Sequence, residues 1–355
     1  MQDFLFRPEQ LASPRLPGIS AVMRIKNGAE FLEATIRSHL AFFDEIVACY
    51  NDCSDRTPQI LLQLASEFPD KIRVFHYEPQ VYPILSAAHA GAGTFSLHSM
   101  ANYYNFALAQ CRYQLAVKLD DDHLAITANM ARAVATVRAA SAQGKPALFR
   151  FSGLNLAGDL AMPQVYRTCP LVGTGDIMFF PVHPEIYFVQ AEKFETLQFG
   201  RQKALLPKRY LGVLYCHLKH LKADYGFANL AEPERSQHCH RFLHSLQLQS
   251  LSQFCDASTR QELIAGYGTI AFWLRRQAWF KWLLRQIGKE NPLRMQRLES
   301  LAADLTAIDW QQDVVCWLAE ADTVPPPAQI SLSQGVAVGS SHRPDTKWPA
   351  GMLVS

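Results

Sequence analysis

Residues 114–124, QLAVKLDDDHL, set the reading of this chain: an apolar run ends on three consecutive aspartates, Asp120, Asp121 and Asp122. In extended backbone, residues i and i+2 point the same way, so Asp120 and Asp122 are expected side by side as two hard oxygen donors. Open parallel sheets bind ligands at the carboxyl ends of their strands, and Mg2+ or Mn2+ held there can bridge to a diphosphate. Taken alone, an acidic triplet is more often a solvated turn that caps the next helix.

The surroundings of the triplet decide between the two. ISAVMRI (19–25) reads as a buried strand, and Leu32, Ile36, Leu40 and Phe43 recur behind it at helical spacing. EIVACY (45–50) is a second strand, followed by the polar loop NDCSDRT (51–57), where Thr57 is expected to cap a helix with Pro58 at its first position. KIRVFHY (71–77) is a third strand. A Gly/Ala/Ser-rich loop runs from it to Ser99, and a helix carrying Ala101, Tyr104, Leu108 and Cys111 then feeds the strand that runs into the aspartates. Such alternation predicts an α/β fold, a Rossmann-like mainly parallel sheet flanked by helices.

Beyond a helix at about 128–142 the signals become short strands and turns, ALFRFS, IMFFPV and IYFVQ. The expected organisation is an irregular lead-in over 1–18 and a main domain over 19–235. That domain divides into a regular half (19–125) and a less regular, acceptor-facing half (126–235). A helical C-terminal region follows over 236–322, then a tail at 323–355 with too little apolar content to pack.

Composition narrows the function classes. Thirty-four Lys and Arg against thirty-two Asp and Glu leave a formal charge of +2, so no global field favours nucleic acid. The eight cysteines form no CxxC pair, which fits reduced thiols. MQDFLFRPEQ lacks the basic start and apolar run of a signal peptide, and the expected location is the cytoplasm. GAG at 91–93 and GTG at 173–175 begin like a dinucleotide fingerprint, but neither completes it.

The ordered set MRIKNGAEFLEATIRSHLAFFDEIVACYNDCSDRT followed by VKLDDDHL resembles the nucleotide-binding half of GT-A fold glycosyltransferases, especially the inverting family 2 type. The resemblance covers residues 19 to about 130. It implies a metal-dependent transferase moving a sugar from a nucleoside diphosphate donor to a glycan or lipid-linked acceptor, with Mn2+ or Mg2+ at a D-x-D strand end. Asn51, Ser54, Asp55 and Thr57 match the family's polar loop, whereas Tyr50 stands where an acidic residue is usual, so Tyr50 is expected either to stack on the nucleobase or simply to pack.

The resemblance also places Arg24, Lys26 and Asn27 among the nucleotide contacts and implies donor contacts from Asn102, Asn105, Lys118 and Asp121. Such enzymes often add a late histidine to the metal, and His217 in YCHLKH ranks first; His220 is a second choice, and His123 is a rival through an Asp121-x-His123 pair. For the general base, Asp176 in LVGTGDIMFF is the candidate, with Glu185, Glu192 and Glu195 as alternatives. Loss of turnover would leave a non-catalytic nucleotide- or carbohydrate-binding protein on the same scaffold.

FWLRRQAWFKWLLRQIGK (272–289) is Trp-rich, basic and amphipathic. It suits either a helix packed on the catalytic domain or peripheral contact with the inner face of a membrane.

Overall fold

In the computed structural model the described residues are 3–84, 86–166, 171–172, 178–191, 195–223, 248–255 and 303–321. The first half is built as the alternation predicts: β1 (Leu16–Ile25), α1 (Leu32–His39), β2 (Glu45–Tyr50), α2 (Thr57–Glu67) and β3 (Ile72–His76). A short α3 (Ala87–Gly91) lies within the small-residue loop, and α4 (Met100–Ala109) leads to β4 (Tyr113–Lys118), β5 (His123–Ala125) and α5 (Thr127–Ala142). The lead-in is less irregular than its prolines suggest. Pro8–Ala12 form a 3-10 turn, and β1 begins at Leu16, ahead of Pro17 and Gly18.

β3, β2, β1 and β4 are parallel and stand in that order. Both faces are buried, with strict alternation along each strand. Ile19, Ala21, Met23 and Ile25 pack with α1, α2 and α5, while Val22 packs with α4. β4 repeats this, Leu115 and Val117 on one side and Ala116 on the other. The period of two therefore sends Arg24 and Lys118 to the α4 side at the ends of adjacent strands. Because β1 leads outward to β2 and β3 on one side while β4 lies on the other, the gap between the ends of β1 and β4 is a topological switch point.

The second half completes the sheet with β6 (Leu148–Gly158), β7 (Pro163–Tyr166), β8 (Leu171–Val172), β9 (Met178–Pro181) and β12 (Lys208–His220). β9 is antiparallel to both β4 and β6, and β12 runs parallel to β6 and antiparallel to β5. A separate hairpin, β10 (Tyr187–Gln190) with β11 (Glu195–Gln198), covers α4; the small α6 (Gln202–Leu205) follows it.

In the region read as helical, Leu248–Ser250 form a strand, β13, that pairs antiparallel with β7, followed by α7 (Leu251–Cys255). Residues 303–321, ending in a π-helical turn at Gln311–Val315 and α8 (Cys316–Ala321), share a core with α1, β5 and β12 through Leu305, Ile308, Val314 and Leu318. Two aspartates fix that segment. Asp313 Oδ1 accepts from the Thr127 amide and hydroxyl at the start of α5, and Asp304 Oδ2 accepts from the Val213 amide while Oδ1 pairs with Arg132. Asp304 fits because residue 212 is glycine with φ +99°; a Cβ there would collide with its carboxylate. Among the described residues no helix is long and apolar enough to cross a membrane, and 272–289 lie outside them.

Candidate active site

The triplet occupies the link between β4, which ends at Lys118, and β5, which starts at His123, so it lies in a turn rather than in extended chain. Its three carboxylates part company. Asp120 Oδ2 lies 3.3 Å from Lys118 Nζ, and Asp121 Oδ1 lies 3.2 Å from Lys222 Nζ. Asp122 divides its oxygens: Oδ2 is 3.0 Å from Lys222 Nζ, while Oδ1 faces His217 Nε2 at 3.5 Å and His123 Nε2 at 3.8 Å. Asp120 Oδ2 also comes within 3.9 Å of His123 Nε2.

Pairing brings the two histidines together, since His217 on β12 stands opposite His123 on β5, with their rings edge to face at 5.2 Å. His123 lies on Tyr215, ring centroids 3.9 Å apart. On its other side His217 meets Asn155 of β6, whose amide oxygen lies 2.9 Å from Nδ1. An amide oxygen only accepts, so Nδ1 carries a proton and Nε2 is the ring nitrogen left facing Asp122 Oδ1.

The donor atoms of Asp122, His123 and His217 all lie within 4.8 Å of one another, and all three residues are buried. Asp122 Oδ1 and His123 Nε2 have no hydrogen-bond partner. Such a set of two imidazoles and a carboxylate fits a divalent cation.

The electrostatics agree. Burial pushes the Asp122 carboxyl up, yet Lys222 and His217 outweigh it and hold the group well below the usual carboxylate range. Asp120 is likewise held down, with the Lys118 ammonium the largest influence against burial. Burial drives the His123 imidazole down to about 3, which keeps it neutral and available as a ligand. Lys222 is raised, because Asp121 and Asp122 outweigh its desolvation.

On the α4 side of the tip, Arg24 lies over the Tyr104 ring at 4.7 Å and donates to its hydroxyl at 3.2 Å, and Lys118 Nζ is 5.5 Å from the same ring. Glu195 on β11 contributes to the field at both Arg24 and Tyr104, and its Oε2 is buried without a hydrogen-bond partner.

Other residues singled out by sequence serve the frame. Asn27, at φ +52°, accepts from the Ser54 amide and donates to the Ser54 hydroxyl, while Lys26 pairs with Asp52. Thr57 is the first residue of α2 and not its cap. Its hydroxyl accepts from the Gly28 amide, and Asp55 accepts from both the Thr57 and Ala29 amides, so the polar loop is tied to the β1–α1 turn. Gly28 itself is required, since a Cβ there would strike Asp121.

Asn51 donates to the Tyr77 and Pro79 carbonyls, leaving its buried Oδ1 without a partner. Asn102 is fully engaged with Phe4, Phe6, Ser99 and Tyr77, and Asn105 with both backbone groups of Phe188, so their amides brace α4. Tyr50 stacks on His76 at 4.7 Å, where β2 and β3 end. His220 stands 6.3 Å from the His217 ring. Asp176 and Glu192 lie outside the described residues, and Glu185 is held by Arg201 and Gln202.

Lys222 and Asn155, which the sequence reading did not single out, prove to be the main supports of the cluster. The only sequence signal for Lys222 is its place two residues beyond His220, in the same run that carries His217. Asn155 gives no signal until β6 is paired with β12.

Residues 7–137 match the family model described as Beta-1,4-N-acetylgalactosaminyltransferase (CgtA). No curated protein matches the chain. Among solved structures, the chain is similar to residues 1–349 of S. aureus TarS, at 12% identity over 86% of this chain and 87% of that one, with a TM-score of 0.34. Against a longer S. aureus TarS chain the identity is 14% and the TM-score 0.35, covering 70% of this chain and about half, 48%, of that one. A third is glucosyl-3-phosphoglycerate synthase from Mycobacterium tuberculosis in complex with Mn2+, UDP-glucose and phosphoglyceric acid, at 14% identity, 68% of this chain and 89% of that one, with a TM-score of 0.34. The family match over residues 7–137 spans the parallel half of the sheet and the acidic turn at its switch point, so that part of the chain is similar to a glycosyltransferase family.

Proposed function

We propose that this protein transfers a sugar from a nucleoside diphosphate donor to a hydroxyl of a glycan or lipid-linked acceptor, with inversion. The description of the matched family favours an N-acetylhexosamine as the sugar. One observation carries the reading: ligand atoms of Asp122, His123 and His217 converge in a buried cluster at the switch point, and Asp122 Oδ1 and His123 Nε2 have no hydrogen-bond partner. Two nitrogens and one oxygen favour Mn2+ over Mg2+, which prefers all-oxygen surroundings. When bound, the ion supplies positive charge where a departing diphosphate becomes most negative.

The chain's own groups do the rest. Asn155 fixes the tautomer of His217, and Lys222 holds Asp122 Oδ2 so that Oδ1 keeps facing the imidazoles. Arg24 and Lys118, aligned by Tyr104, orient phosphate or sugar oxygens beside Asp120. The stacked pair Tyr50 and His76 offers the nucleobase a flat face. Asp176 remains the proposed base that takes the acceptor's proton, and Glu195 is the described carboxylate that competes for that role.

Release of nucleoside diphosphate from UDP-N-acetylgalactosamine and UDP-N-acetylglucosamine in the presence of Mn2+ tests the reading. Asp122→Asn is expected to cut turnover by about a hundredfold or more. Turnover unchanged in that variant contradicts the proposal.

A further inference from the structure

In a protein whose charges nearly balance, residues 123–158 and 196–223 contain ten Lys and Arg and no Asp or Glu. The fold lays these two segments side by side, because β6 and β12 pair in parallel with Lys208 opposite Leu148 and Arg209 opposite Phe149. Carboxylates from elsewhere reach some of the cations: Arg132 pairs with Asp304, Arg138 with Asp44, Arg201 with Glu185, and Lys222 with the acidic turn. Among the described residues no carboxylate pairs with Lys145, Lys203, Lys208 or Arg209. All four are exposed, and they collect where β6 and β12 begin, at the other end of these strands from Asn155 and His217.

The same cations frame an apolar projection. KALLPKR (203–209) leads from α6 into β12 with Leu206 buried in the core, the Pro207 carbonyl accepting from the Leu148 amide, and Leu205 70% exposed. A single exposed leucine is commonplace, and a surface meant only for water intersperses both signs of charge. Here the unpaired charges around the leucine are all positive. We infer that this end of the sheet docks on an anionic lipid surface, with Leu205 entering the headgroup layer and Lys145, Lys203, Lys208 and Arg209 facing lipid phosphates. A soluble polyanion would use the cations but not the leucine. The surface includes none of residues 272–289 and does not depend on the metal reading. It leaves the acidic turn up to about 30 Å from the bilayer, the reach of β12 from Lys208 to His217, which suits a hydroxyl on the outer sugars of a lipid-linked glycan.

Co-sedimentation of the full chain with phosphatidylcholine vesicles, with and without phosphatidylglycerol, tests this. The natural chain is expected to pellet with the anionic vesicles, to stay in solution with the neutral ones, and to be released by about 0.5 M salt. Lys203→Gln, Lys208→Gln and Arg209→Gln together should weaken binding by roughly a hundredfold, since each cation near an anionic surface contributes about fivefold. Leu205→Ser should weaken it by about tenfold with the charge unchanged. These four side chains are exposed and make no ion pair with a described residue, so the melting temperature should stay where it is.

Equal binding of the natural chain to neutral and anionic vesicles, or binding to neither, overturns the inference and needs no variant to fold. Full binding by the triple variant also overturns it, because the membrane contact then lies elsewhere on the chain. Binding to anionic vesicles undiminished in Leu205→Ser reduces the surface to one for any polyanion and overturns its assignment to lipid. None of these outcomes bears on the metal reading, which Mn2+ binding tests separately.

Discussion

Asn155 belongs to no motif, yet its amide oxygen decides which nitrogen of His217 faces Asp122. Asn155→Ala is therefore expected to weaken Mn2+ binding by about ten- to a hundredfold with little change in melting temperature, as measured by calorimetry beside a thermal scan. A buried histidine elsewhere carries a pH dependence. His39 is held down to about 4 by burial, against the Thr35 carbonyl at 2.8 Å from its Nδ1. The folded value lies below the unfolded one. This contribution is therefore complete above about pH 6.5 and is lost as pH falls toward 4, while the unfolded chain takes up the proton first. Between pH 7.5 and 5, metal-free protein should lose about 2 kcal/mol more stability than His39→Gln in urea titrations. At this scale the acidic triplet was legible because three adjacent charges ending an apolar run have few explanations. Asn155 and Lys222 were not, because their meaning arises from strands that pair across more than sixty residues.

β12 carries His217 and is positioned at three points along its length. Asn155 stands beside it on β6, His123 opposite it on β5, and Asp304 accepts from its Val213 amide where Gly212 opens the space. Asp304→Ala leaves that buried amide without its partner and should cost about 1–3 kcal/mol in chemical denaturation, with a parallel loss of Mn2+ affinity. At the opposite end of the sheet, fully buried Glu45 accepts from Ser20, Arg73 and the backbone and side chain of Arg112. Glu45→Ala is expected to cost about 2–4 kcal/mol, because Arg73 and Arg112 are partly exposed and can turn to water, while Mn2+ affinity of the folded fraction stays unchanged. Period-two burial made β1, β2 and β3 readable. The same rule failed where tertiary pairing takes over: Leu248–Ser250 lie in a Leu- and Gln-rich stretch that suggests helix, yet they extend the sheet beside β7. Thr57 resembles a cap, but the neighbouring Asp55 takes the helix amide and frees the threonine hydroxyl for Gly28.

Across the whole molecule, one crossing of strand order sets the chemistry. β1 and β4 end side by side, the turn after β4 delivers three carboxylates, and β12 returns from the second half of the chain to add His217, with Lys222 in the turn that follows it. The parallel half could be read from alternation, whereas the approach of β12 could not, because nothing local in residues 208–222 specifies a partner on β5 or β6. The central claim is that Asp122, His123 and His217 together hold the divalent ion. Pulsed electron paramagnetic resonance of the Mn2+- and UDP-loaded protein tests it most directly, by resolving couplings from directly bound nitrogen. The account predicts two imidazole couplings, one of which disappears in His123→Ala and the other in His217→Ala; a spectrum with no nitrogen coupling, or one unaltered by both substitutions, contradicts it.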